Sequence, residues 1–129
     1  MITTTLDKAY TAFMALNKIR GMVKGMDALH VFHMKNKVKE TVDFLAEEEV
    51  KAVEEFGGKI TETGMVLFAD NGKRQAYNKE RERLGKITSD IEAEPVRIRI
   101  DRCPEVTAED IEALDGFVIF EEEEDNGNK

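Results

Sequence analysis

The residues able to do chemistry in this chain are few and widely spaced. His30 and His33 are the two histidines, and they stand three positions apart in His30-Val31-Phe32-His33. On a helix that spacing turns both imidazoles to one face, as two ligands of a metal ion would be. A metal site needs three or four ligands with supporting hydrogen bonds. The nearest carboxylate is Asp27 and the one cysteine, Cys103, is remote, so neither a metal nor an acid–base role is assigned to the pair. Cys103 precedes Pro104 without any nucleophile signature and reads as a small packed hydrophobe. A single cysteine forms no internal disulfide, so cysteine usage does not require an oxidising compartment. Phosphate-binding, dinucleotide-binding and Gly-x-Ser-x-Gly patterns are all missing. Asp70-Asn71-Gly72 opens like a calcium loop, but Lys73 and Arg74 follow it and the later acids are out of step, which leaves a tight turn. No catalytic residue, metal ligand or cofactor is assigned, and the chain is read as non-enzymatic.

Charge is the more concentrated signal. The 129 residues carry 19 Lys and Arg against 27 Asp and Glu, a net −8. Residues 1–40 hold seven bases against three acids, whereas Asp101 to Asp125 hold eleven acids and the single base Arg102. A basic first part and an acidic end supply two kinds of interaction surface. We take Lys35, Lys39 and Arg81 as candidates on the basic side, and Glu109, Glu112, Glu121 and Glu122 on the acidic side. The lysines from Lys18 to Lys39, with a second cluster from Lys73 to Lys86, have the composition of a phosphate-tracking patch. Overall acidity, the absence of Trp and the placement of the rings on apolar stripes argue against nucleic acid as the partner. The acidic end has the opposite potential, that of a nucleic-acid mimic seated in another protein's basic groove.

These residues must be positioned by one domain, since the length fits a single hydrophobic core. No apolar run approaches the ~18 to 20 residues of a membrane span, and Met1 to Thr5 does not open a signal peptide. Leu6, Ala9, Tyr10, Phe13 and Leu16 recur at helical steps behind the N-cap candidate Thr5. Gly21 and Gly25 mark a break. A second helix is expected from about Asp27 to Phe56, with Leu29, Val31, Met34, Val38, Val42, Leu45, Val50 and Val53 as its apolar positions, closed by Gly57-Gly58. The methionines fall at helical spacing and read as core filling. Lys59 to Ala69 reads as a small hairpin. A third helix is expected from Lys73 to Glu92, with Tyr77, Leu84, Ile87 and Ile91 inward and Pro95 as its stop. Val96-Arg97-Ile98-Arg99-Ile100 alternates as a strand does. Thr107 then opens a short helix with Asp110 in the capping-box position and Ile111 and Leu114 inward, and Gly116 follows. Phe117 to Phe120 is a second strand candidate. The expected architecture is an α+β, helix-dominated single domain over residues 1–120: three sizeable helices, a short C-terminal helix and a small β-sheet, with residues 121–129 as an acidic polar tail.

The order of these elements resembles a family of small uncharacterised phage and prophage proteins. The resemblance rests on Phe68-Ala69-Asp70-Asn71-Gly72, Tyr77-Asn78-Lys79-Glu80, the Val96 to Ile100 strand, the stretch from Val106 to Leu114, and Phe117 to Phe120. It implies a phage-encoded protein in the host bacterial cytoplasm or the virion, and it implies no reaction. Together with the charge polarity it leads to two expectations. The first is an accessory or structural protein that binds another protein, phage structural or host, in virion assembly. The second is an acidic inhibitor of a bacterial defence or nucleic-acid-processing enzyme. The long apolar stripes also permit a homo-oligomer, and no membrane partner is expected.

Overall fold

A computed structural model describes residues 1–122. The chain runs through strand β1 (Ile2–Thr5), helix α1 (Leu6–Ile19), helix α2 (Gly25–Glu55), a minimal hairpin β2 (Lys59–Ile60) and β3 (Val66–Leu67), and helix α3 (Asn71–Gly85). It continues through β4 (Thr88–Ile91), β5 (Val96–Arg99), a 3-10 turn (Ile100–Arg102), helix α4 (Ala108–Ala113) and β6 (Val118–Glu121). This is the expected α+β, helix-dominated domain. No helix of the described residues is long and apolar enough to cross a membrane.

Local chemistry sets the helix starts. The Thr5 hydroxyl accepts from the Lys8 amide at 3.2 Å, and the Asp70 carboxylate accepts from the Lys73 amide at 2.8 Å, so each occupies the N-cap position of its helix. Thr107 and Asp110 form a reciprocal capping box at α4, with amide contacts of 3.1 and 3.0 Å. Gly116 (φ 88°) reverses the chain between α4 and β6 in a conformation that other residues rarely adopt.

Packing centres on α1. Ala9, Ala12, Leu16 and Ile19 are fully buried, and the short link after Ile19 folds α2 back along α1. Val31, Met34 and Val38 of α2 join this core with Ile91, Val96, Ile98, Cys103, Leu114 and Phe117. A second, smaller cluster of Leu6, Leu45, Ala52 and Leu84 seats α3. Gly85 approaches the Asp7 side chain so closely that a Cβ there would collide with the carboxylate.

Several expectations are corrected. In place of one small sheet there are three two-stranded sheets: β1 with β4 antiparallel, β2 with β3 antiparallel, and β5 with β6 parallel. The third helix ends at Gly85, not Glu92, because Thr88 to Ile91 pair with Ile2 to Thr5, and that pairing outweighs the helical spacing of Ile87 and Ile91. Ile100 leaves the strand for the 3-10 turn. Ile111 faces outward while Asp110 takes the inward position beside Leu114. Leu29, Val50, Tyr10, Met14 and Met26 are exposed, so the stripes of α1 and α2 are narrower than the apolar residues suggest and most methionines are not core filling. Glu121 is the last residue of β6, and its carboxylate lies 3.2 Å from Arg97. Glu122 follows the strand exposed, and residues 123–129 of the expected acidic tail lie outside the described residues.

Asp110 ties the C-terminal part to α1, because its buried carboxylate also receives Lys18 Nζ at 2.9 Å. Burial opposes its ionisation, but the hydrogen bonds from Lys18 and from the Thr107 amide and hydroxyl side outweigh that and hold its carboxyl below the usual value of 3.8. A depressed folded value means that the ionised group stabilises the fold above the unfolded pKa and that this contribution is lost as pH falls through the folded one. Asp110→Ala is expected to cost about 2 kcal/mol of unfolding free energy at neutral pH, the scale of a charge-assisted hydrogen-bond set with one exposed partner. Asp110→Asn should flatten the loss of stability below about pH 4, as measured by urea unfolding over a pH series. Gly85→Ala should destabilise by about 1 to 2 kcal/mol, and adding Asp7→Ala should recover part of that loss in the same measurement.

Candidate interaction surfaces

His30 and His33 are both exposed on α2 and line one side of an open groove of about 490 Å³. Met34 and Val96 form its buried floor, and Lys37, Glu92, Ala93, Glu94, Pro95 and Arg97 complete it. The floor exists because α2 packs against β5 and leaves the link from β4 to β5 standing beside the helix. Among the described residues no group of three His, Cys, Asp or Glu side chains is placed to hold a metal ion. The two histidines share the groove with a lysine and an arginine, a setting for recognition of polar and apolar groups together.

Cys103 is fully buried in the main core, away from that groove. Burial pushes its thiol up, and the carboxylates of Asp110, Glu105 and Asp27 push it further, so the thiol stays protonated at neutral pH. The sites of the two histidines and the cysteine are therefore separate.

The seven candidate interaction residues fall on several elements. Glu109 and Glu112 are exposed on α4 and line a shallow cleft with Asp7, Lys8, Thr11 and Ala113. Glu122 is exposed directly after β6, whereas Glu121 is engaged by Arg97. Lys35 is half-buried on α2, and Lys39 pairs with Asp43 at 2.8 Å. Arg81 is committed within the fold: it contacts Asp7 at 2.8 Å and Glu49 at 3.3 Å, linking α3 to both α1 and α2. The same holds for much of its cluster. Arg83 pairs with Glu80, Lys86 with Glu82, and Arg74 bonds the Val66 carbonyl while lying over the Phe68 ring. The α3 part of the basic track is thus largely paired with acids of the same chain, although Arg83 and Lys86 stay exposed.

Sequence reasoning missed the groove, because its far wall is the link from Glu92 to Pro95, which only exists once Thr88 to Ile91 form a strand. It also missed that the exposed apolar residues gather on α2, where Met26, Leu29, Phe32, Phe44 and Val50 are all open to solvent. Comparison of the chain with models of known protein families, with curated protein sequences and with solved structures returns no match in any of the three.

A protonated, enclosed thiol should resist alkylation. Native protein is expected to take up iodoacetamide at Cys103 far more slowly than urea-unfolded protein, as followed by intact mass; equal rates would contradict the burial.

Proposed function

We propose that this is a non-enzymatic protein-binding module, and that it serves as a phage-encoded accessory or structural protein in virion assembly, in the host cytoplasm or the virion. The phage setting rests on the resemblance of element order. The binding role rests on the groove between α2 and the β4–β5 link. Its apolar floor of Met34 and Val96 can take an apolar side chain of a partner segment, and the rim of His30, His33, Lys37 and Glu92 offers polar groups of both signs around it. Such a site recognises a peptide segment and has no set of groups that would transform one.

A second reading is favoured by one observation: Glu109 and Glu112 are exposed and have no ion-pair partner among the described residues. That face suits an inhibitor that occupies the basic groove of a bacterial defence or nucleic-acid-processing enzyme.

Affinity purification from infected cells distinguishes the two. Under the first reading, wild-type protein recovers a phage structural or assembly protein, Ala93→Trp fills the groove and lowers recovery at least tenfold, and Glu109→Lys with Glu112→Lys leaves it unchanged. Under the second, the charge reversal alone abolishes recovery of a nucleic-acid enzyme. Recovery of no phage or host protein, together with virions free of this chain, would sink both.

A further inference from the structure

The outer face of α2 carries an arrangement that neither the core nor the groove uses. Phe32, Asn36, Lys39, Asp43, Ala46 and Val50 follow one another at alternating four- and three-residue steps, and all six are exposed. This is the heptad spacing of a helix seam, set on the side opposite Val31, Met34, Val38 and Leu45. The seam has apolar residues toward both ends and, in its middle, Lys39 and Asp43, which pair with each other along the helix while both stay more than half exposed.

The charge along α2 is polarised. From Gly25 to Lys39 the helix holds three lysines against Asp27, and from Glu40 to Glu55 it holds seven acids against Lys51. Lys24 stands at the N-cap without a side-chain cap, and Glu54 and Glu55 occupy the last turn, which contains no base. Asp27 in the first turn has the sign that the helix dipole favours, but the C-terminal end carries the sign it disfavours. An isolated helix is not improved by this order. A second helix laid antiparallel beside it would be, because each basic half then meets an acidic half and the two dipoles oppose.

We propose that the partner of this face is a second copy of the same chain, in a two-fold antiparallel pairing of α2 helices centred on Thr41. In that register Phe32 faces Val50 of the other copy, Asn36 faces Ala46, and Lys39 faces Asp43, and the two-fold axis repeats each contact. A parallel pairing would set Lys39 against Lys39 and Asp43 against Asp43, so the charges select the antiparallel direction. The inference goes beyond the binding role above, since it uses a different side of α2 and leaves the groove open.

Analytical ultracentrifugation with charge-swapped variants tests it. Wild-type protein at about 0.1 mM, above the micromolar constants of weak specific interfaces, should sediment as a dimer of the 14.6 kDa chain. Lys35→Glu with Lys39→Glu, and separately Asp43→Lys with Glu47→Lys, should each be monomeric at that concentration with circular dichroism unchanged. An equimolar mixture of the two should restore a dimer. As an independent check, Phe32→Cys with Val50→Cys should oxidise to a disulfide-linked dimer while neither single variant does. The two positions lie roughly 27 Å apart along one helix, so they cannot close within a chain. A monomeric wild type, or a dimer that survives both charge-swapped variants and gives no cross-link, would overturn the proposal.

Discussion

Everything in this fold leans on the burial of α1. Its inward stripe is small in the middle and large at the ends: Ala9, Ala12 and Ala15 let neighbouring backbones approach, while Leu6, Leu16 and Ile19 supply the apolar area. Each of those larger side chains contributes about 1.5 to 3 kcal/mol when removed from water, and at native packing density even one missing methylene is felt. The neighbours are then fastened by polar contacts at α1's two ends. Near its start, Asp7 receives Arg81 from α3 and the Leu6 amide bonds the Ile87 carbonyl at 2.9 Å. Near its finish, Lys18 reaches the α4 capping box. The helix is a spine with apolar flanks and a charged fastening at either end.

The sequence was most legible where local chemistry decides the outcome. Thr5 and Thr107 each have a hydroxyl that satisfies an otherwise unpaired amide, and each starts a helix as its residue type predicts, whereas Asp70-Asn71-Gly72, read as a turn before Lys73, proves to be the N-cap and first residues of α3. The strict alternation around Val96 and Ile98 likewise yields a strand with those two side chains buried. Legibility failed where a distant partner decides. Thr3-Thr4-Thr5 and Thr88-Ser89-Asp90 are weak strands in isolation, and each becomes one because the other is there. The third helix was overextended for that reason, and the groove, whose wall follows that strand, could not be seen. Leu29 and Val50 misled in another way: their type suggests burial, but α2 is longer than the core it covers.

That excess length organises the surface. One side of α2 is spent on α1 and the main core, a second borders the groove with His30 and His33, and a third faces solvent. The net charge of the whole chain describes none of these sides. Arg81, Arg83 and Lys86 on α3 are paired with acids of the chain, whereas Glu109 and Glu112 of α4 stand exposed without an ion-pair partner among the described residues, so part of the acidity is presented unopposed at the surface.

The pairing of Ile2 with Ile91 has a consequence for how the molecule is made. At about 5 to 20 residues per second of synthesis, β1 is translated roughly 4 to 17 s before its complement. Throughout that interval its amides and carbonyls are open to any other extended chain. α1, at 14 residues, is marginal as a free helix and gains its support only when α2 emerges. β1 is thus made well before the strand that satisfies it, and until β4 is available it stands as an unpaired strand that chaperones can meet.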